Sequence, residues 1–264
     1  MHGAGNDFVV LDARARPWVI DADAALRIAD RRTGIGCDQL IVVGPPRQPD
    51  ADAFMSIFNA DGSEVAACGN ATRCVAWMLM AESGLTQATI ETRAGLLSAF
   101  AAGDQRIAVD MGPARLDWDQ IPLARAIDTL HLPMTAGELT DPVAVGMGNP
   151  HAVFFVPDAE AIALAEVGPT LEHDPLFPER TNVEVAQILD RDRIRMRVWE
   201  RGAGITLACG TGACATLVAA ARRGLTERKA EVVVDGGRLS IEWREDNHVI
   251  MTGPVALAFS GTLP

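Results

Sequence analysis

The chain has a single lysine, Lys229, among its 264 residues. Pyridoxal phosphate enzymes need a lysine for their Schiff base. Lys229 sits in the charged run Thr226-Glu227-Arg228-Lys229-Ala230, a turn leading into a strand, so that chemistry is set aside. No G-x-G-x-x-G or P-loop follows a strand, which leaves no visible cradle for a nucleotide. The cysteines at 37, 68, 74, 209 and 214 include no C-x2-C pair, and the histidines at 2, 131, 151, 173 and 248 are scattered. Neither pattern builds a zinc site, so no metal and no other cofactor is expected. An odd cysteine count argues against a disulfide framework. No apolar run approaches the roughly 20 residues that span a bilayer, and the segment from Met1 to Asp7 lacks the basic flank and apolar stretch of a secretory signal. A cytoplasmic protein without a membrane partner is the expectation. Basic excess is missing as well: the net charge is -12 with a pI near 4.8, the wrong sign for binding phosphate backbones. Arg191, Arg193, Arg195 and Arg197 repeat with a period of two and read as the outer face of a strand.

What the chain does contain is an internal duplication. Gly3-Ala4-Gly5-Asn6 returns as Gly146-Met147-Gly148-Asn149 at an offset of 143, and Ala67-Cys68-Gly69-Asn70 as Ala208-Cys209-Gly210-Thr211 at 141. Arg32-Thr33-Gly34-Ile35 is echoed by Arg180-Thr181-Asn182-Val183 at 148. Asn59 and Glu200 each precede their cysteine by nine residues. The collinear order implies two homologous halves, 1–112 and 113–253. The Pro-punctuated stretch from Gly112-Pro113 to Pro142 reads as a crossing between them.

In each half the cysteine motif opens a helix, 70–83 ending at Gly84 and 211–223 ending at Gly224. Both helices are apolar on nearly every face and are therefore expected to be buried. Short β-rich runs surround them, at 7–12, 40–43, 55–58, 106–110, 152–156, 194–199, 231–234 and 249–251. The class that results is α+β, a central helix wrapped by strands in each half. Cys68 and Cys209 each lie at a helix N-terminus, where free N–H groups and the dipole favour a thiolate. The same N–H groups hold a carboxylate. If the halves face one another across a cleft, one carboxylate is gripped by both helix ends with a sulfur on each side of its α-carbon, an arrangement that inverts a stereocentre. Cys74 and Cys214, inside the helices, read as apolar packing, and Cys37 as neutral.

Seven segments in order resemble the diaminopimelate epimerase family. They are His2-Gly3-Ala4-Gly5-Asn6-Asp7; Arg32–Gly36 with Asp38-Gln39; Phe58–Ser63; Ala67–Asn70; Gly148–His151; Glu179–Glu184; and Glu200–Gly204 with Ala208–Gly212. The resemblance implies two similar halves, each a mixed β barrel-like sheet wrapped around a central helix with the active site in the cleft between them. It also implies that 254–264 returns to the first half, and that the protein is a homodimer. The implied reaction is cofactor-independent interconversion of LL- and meso-diaminopimelate for lysine and cell-wall precursor synthesis. Position by position it implies Cys68 and Cys209 as catalytic thiols, with His151 and Glu200 as polar neighbours of the reacting end. Asn6, Gln39, Asn59, Asn149, Asn182 and Arg201 are the implied substrate-binding set. Gly69, Asn70, Gly210 and Thr211 would supply helix-start amides to the α-carboxylate.

There are departures from the family pattern. Relatives usually begin several residues earlier, which points to a shortened first strand. Ala71-Thr72 stands where Gly-Ala is common, and Ile205 where a glutamate is common, changing the charge near Cys209. Proline racemases and hydroxyproline epimerases resemble the same fold and also pair cysteines, but their first motif reads Cys-Gly-His rather than Cys68-Gly69-Asn70. The phenazine-biosynthesis isomerases lack the thiol pair. A thiol redox switch or small-ligand binding protein is the alternative from another class.

Overall fold

A computed structural model describes residues 1–16, 18 and 20–262. The chain divides into two compact units, Met1–Asp110 with Thr252–Pro264, and Met111–Met251. In the first unit the elements run β1 (His2–Gly3), β2 (Asn6–Asp12), α1 (Ala22–Ala29), β3 (Gln39–Gly44), β4 (Ala53–Asn59), β5 (Glu64–Val65), α2 (Gly69–Ser83), β6 (Gln87–Thr92), β7 (Gly95–Ala101) and β8 (Arg106–Pro113). Their spatial order is β1-β2-β3-β4-β6-β7-β8, with β5 on β4. The pairs β2/β3 and β4/β6 are parallel, while β3/β4, β6/β7 and β7/β8 are antiparallel. Parallel neighbours need long crossovers, and α1 and α2 lie in those two crossovers.

The second unit repeats this plan after a small hairpin, β9 (Thr135–Ala136) and β10 (Leu139–Thr140). It continues as β11 (Val143–Gly146), β12 (Pro150–Phe155), α3 (Leu164–Glu172), β13 (Asn182–Asp190), β14 (Arg193–Glu200), β15 (Gly204–Ile205), α4 (Gly210–Arg222), β16 (Lys229–Val234), β17 (Gly237–Trp243) and β18 (His248–Pro254). The order is β11-β12-β13-β14-β16-β17-β18 with β15 on β14, and the parallel pairs are again the two that enclose helices, β12/β13 and β14/β16.

Register makes the duplication residue-specific. Five parallel pairs begin with Phe8 opposite Gln39 in β2/β3, and five begin with His151 opposite Asn182 in β12/β13. Phe8 therefore corresponds to His151, Gln39 to Asn182 and Ile41 to Glu184. In β3/β4, Leu40 faces Phe58, and in β13/β14, Val183 faces Trp199, so Asn59 corresponds to Glu200.

Each long helix is the core of its unit. α2 packs on β1, β2, β6 and β7, strands from both ends of the sheet order, and α4 on β11 to β14, β16 and β17. Such contacts require each sheet to curve around its helix. α2 ends on Gly84 in the left-handed conformation, φ 73°, the backbone state glycine adopts without steric cost. α4 ends at Arg222, two residues before its glycine, with Arg223 as C-cap and Gly224 following at φ 68°. The helix read at 70–83 and the β-rich runs lie within observed elements, except that 211–223 and 152–156 each extend one residue beyond α4 and β12. The stretch from 114 to 142 is not a plain crossing. Ile121, Leu123, Leu132, Met134 and Leu139 are buried with Phe154, Leu171, Val183 and Val185 in the second unit's core, because apolar side chains at about 1.5–3 kcal/mol each gain more from burial than from bridging. The arginine row keeps its period: Arg193, Arg195 and Arg197 alternate with buried Ile194, Met196 and Val198. Arg195 pairs with Glu160 and Asp235, and Arg197 donates to the carbonyls of Ala159 and Ile162. After β18 the chain returns to the first unit, with Val255 N–H on the Gln105 carbonyl and Ala256 bridged to His2.

Candidate active site

Cys68 and Cys209 are the N-cap residues of α2 and α4. Their backbones are extended, φ -147° and ψ 111° at Cys68 and φ -109° and ψ 114° at Cys209. The first-turn N–H groups of a helix have no intrahelical acceptor, so each sulfur stands beside a cluster of donors. In both units an asparagine at the start of a strand bonds the second residue of the helix. Asn70 Nδ2 donates to Asn6 Oδ1 at 3.4 Å, and Asn149 Nδ2 donates to Thr211 Oγ1 at 3.4 Å.

In the first unit the positions that match Asn182 and Glu200 by register carry the neutral amides of Gln39 and Asn59. Gln39 and Asn59 are cross-strand partners, and Gln39 Nε2 donates to Asn59 Oδ1 at 3.0 Å. Asn59 Nδ2 continues to Ser63 Oγ at 3.0 Å. Asn6 Nδ2 donates to Asp38 Oδ2 at 3.0 Å, and Asp38 is in turn held by Arg31. Gly69 and Asn70 are buried in the first turn of α2, whereas Cys68 is half-buried.

Around Cys209 the groups are charged and dry. Cys209 is 5% exposed, and its sulfur accepts from Gly212 N–H at 3.3 Å and lies 3.5 Å from Thr211 Oγ1. Glu200, at the end of β14, accepts from the Thr206 hydroxyl. His151 and Glu184 are both 0% exposed, with His151 Nδ1 2.7 Å from Glu184 Oε1 and Nε2 2.9 Å from Asn149 Oδ1.

The electrostatics correct one expectation. Burial pushes the Cys209 thiol well above the ordinary thiol range, Glu200 and Glu184 push it further, and the bonds from Thr211 and Gly212 oppose them without reversing the result. Desolvation outweighs the helix N-terminus here, so the surroundings of Cys209 favour its protonated form. Burial also raises Glu200, with Glu184 adding to it and the Thr206 hydrogen bond opposing. Burial pushes Cys74 up to about 12 and raises Cys37, consistent with packing roles; Cys74 and Cys214 are both fully buried.

Asn182 and Arg201, like the other amides of the binding set, are engaged within the protein. Asn182 Nδ2 donates to the Pro150 carbonyl at 2.9 Å and its Oδ1 accepts from Arg201 N–H at 3.0 Å. Arg201 Nη1 donates to the Glu179 carbonyl at 2.9 Å. Arg201 and Asn149 line a cavity of about 160 Å³ with Gly148, Pro150 and Glu179. A larger depression, about 540 Å³, lies on the β16–β17 hairpin against Arg228, Lys229 and Trp243 and holds none of the candidate residues. Sequence reasoning gave no role to Asp38, Ser63, Glu184 or Thr206. Glu184 carried a usable signal, a carboxylate inside the apolar run Val183-Glu184-Val185-Ala186.

The family model described as diaminopimelate epimerase matches residues 1–116 and 143–258. The chain is 65% identical to the diaminopimelate epimerase of Rhodospirillum centenum over 100% of this chain and 90% of that one. It is 58% identical to that of Acidiphilium cryptum, covering 100% and 94%. Among solved structures it is similar to a hydroxyproline epimerase from Agrobacterium vitis, with TM-score 0.68, 16% identity, and 96% and 86% of the two chains covered. It is also similar to a phenazine biosynthesis protein from Enterococcus faecalis, with TM-score 0.67, 16% identity, and 95% and 89% covered. These two likenesses are of fold alone.

Proposed function

The chain belongs to the diaminopimelate epimerase family, and on that premise we propose that Cys68 and Cys209 invert the α-carbon of diaminopimelate as an acid–base pair. The protein is an isomerase that converts LL-diaminopimelate to the meso isomer. The observation that carries the assignment of the two thiols is their shared placement, each the N-cap of a duplicated buried helix.

Inversion at carbon needs one proton removed and one returned from the opposite face, with no net gain or loss. One sulfur, as thiolate, takes the α-proton and becomes a thiol. The other, as thiol, delivers its proton to the carbanion and becomes a thiolate, and the reverse reaction exchanges the roles. Cys209, held protonated by its surroundings, enters as the donor. The first-turn N–H groups at Gly69 and Asn70, and at Gly210 and Thr211, stabilise the α-carboxylate and the negative charge that builds as the C–H bond breaks. Glu200 and His151 set the charge beside Cys209. Asn6, Gln39, Asn59, Asn149, Asn182 and Arg201 supply the amides and guanidinium for the rest of the substrate, and Asn182 also holds the Arg201 backbone. The reaction draws on no cofactor; Lys229 is exposed and ion-paired to Glu242 at 2.8 Å. A cytoplasmic homodimer completes the proposal.

The test is turnover of LL-diaminopimelate by the purified protein in D2O, with and without EDTA and hydroxylamine. Early meso product should carry α-deuterium while recovered LL substrate stays unlabelled, at a rate neither reagent changes. Label entering LL substrate as fast as product forms, or activity that metal or pyridoxal phosphate restores, overturns the two-thiol reading.

A further inference from the structure

The duplicated register exposes three coordinated differences at one place. Where the first unit has Phe8, Ile41 and Ala71, the second has His151, Glu184 and Gly212, the last pair being the third residues after Cys68 and Cys209. All three members of the first set are buried, so the architecture is satisfied there by apolar packing. Burying a charged pair instead gives no stability advantage over well-packed apolar residues. The carboxylate also fits closely: a Cβ on Gly212 would lie 2.8 Å from Glu184 Oε1 and 3.3 Å from Cys209 Sγ. Glycine at 212 is thus what admits Glu184 beneath the start of α4. One of its oxygens meets His151, and the other, Oε2, is buried with no hydrogen-bond partner among the described residues.

We propose that Glu184 is a positioning residue for Cys209, fixing a proton on His151 Nδ1 and, through His151, the chain Asn149–Thr211 that ends at the sulfur. The inference rests on Cys209 being the proton donor of the reaction. Glu184 accepts from Nδ1–H at 2.7 Å and Asn149 Oδ1 accepts from Nε2–H at 2.9 Å, so both ring nitrogens donate, and this turns the Asn149 amide hydrogens toward Thr211 Oγ1, itself 3.5 Å from the sulfur. Its charge supports the same role, since Glu184 and Glu200 both favour the protonated sulfur. The charged or titratable groups that bear on Cys209 are Glu200 from β14, Glu184 from β13 and, through Asn149 and Thr211, His151 from β12.

Two variants separate the hydrogen bond from the charge. Glu184→Gln keeps an acceptor for Nδ1 and removes the charge; Glu184→Leu removes both. The ¹⁵N spectrum of labelled histidine, assigned with His151→Asn, should show Nδ1 of His151 carrying a proton in wild type and in Glu184→Gln, and losing that fixed state in Glu184→Leu. A titration of the Cys209 ¹³Cβ resonance, assigned with Cys209→Ala, should show more thiolate near pH 10 in Glu184→Gln than in wild type. kcat should fall about ten- to hundred-fold in Glu184→Leu with little change in KM, the effect of losing one hydrogen bond to a charged group. An unprotonated Nδ1 in wild type, or a Cys209 titration identical in wild type and Glu184→Gln, overturns the proposal. Neither spectroscopic result depends on turnover, so failure here is distinguishable from failure of the two-thiol mechanism.

Discussion

The two halves are built on one backbone plan and differ in what surrounds the sulfur. Both place a cysteine at the N-cap of a buried helix, and both bond a strand-start asparagine to the second helical residue. In the first half the positions that match Asn182 and Glu200 hold the amides of Gln39 and Asn59, and Cys68 is half-buried. In the second, Glu184 and His151 are buried and Glu200 half-buried beside Cys209, which is itself buried. Backbone N–H groups that favour an anion are thus common to both, while burial first and the two carboxylates second favour the proton on Cys209. A proton relay that takes from one face and gives to the other requires such inequality, because two identical thiols at one pH begin in the same state.

Removing the shared element should have the largest effect. Cys68→Ala and Cys209→Ala are each expected to lower kcat by about 10²- to 10⁴-fold, the range lost with a proton-transfer group, with circular dichroism unchanged. A one-sided loss, with either variant still epimerising at near wild-type rate, breaks the equivalence of the halves. Making the second half resemble the first should have the next largest. Glu200→Gln replaces the carboxylate with the amide chemistry found at Asn59, and kcat should fall by about 10²-fold. The folded protein holds Glu200 above its ordinary value, so this group adds stability below the unfolded carboxylate range that is lost as pH rises through the raised value. Thermal unfolding from pH 4 to 8 should therefore fall less with pH in Glu200→Gln than in wild type.

The shared elements were legible in the sequence, and the differences were only partly so. Glycine and cysteine at fixed offsets exposed the duplication because backbone demands, a turn at Gly5 with φ 84° or a cap at Cys209, restrict residue type strongly. The apolar helices were legible because burial on all sides leaves no polar face. β13 went unread because a strand buried on most of its length shows no alternation. The raised thiol at Cys209 was hidden for a related reason: helix position is local, but desolvation comes from β12, β13 and β14, whose approach only the folded chain defines.

Exchanging one residue between the halves tests the steric part of the comparison. Gly212→Ala installs the first half's Ala71 and sets a Cβ 2.8 Å from Glu184 Oε1. Overpacking of this kind costs about 1–3 kcal/mol, to be read from the urea midpoint. The double variant Gly212→Ala, Glu184→Ile reproduces the pair Ala71 and Ile41, and should recover part of that loss. If Gly212→Ala is as stable as wild type, the glycine does not make room for the carboxylate.

The smallest effect sharpens the electrostatic difference by setting two buried thiols against each other. Cys74, inside α2, is pushed up to about 12 chiefly by burial, whereas Cys209 is raised by burial together with Glu200 and Glu184. For either thiol, pH above about 8.5 strips the proton from the unfolded chain before the folded one. The unfolded state then binds fewer protons, and stability present below that range is lost as pH rises toward the folded value. Wild type should consequently lose about 1 kcal/mol more than Cys209→Ala, and similarly more than Cys74→Ala, between pH 8 and 9.5. Glu200→Gln separates the two contributions, because it removes a charge that acts on Cys209 and has no part in raising Cys74. In that background the share of the slope removed by Cys209→Ala should shrink, while the share removed by Cys74→Ala stays the same. Equal changes in both shares would mean that burial alone raises the two sulfurs, and that the second half holds its proton by desolvation without help from its carboxylates.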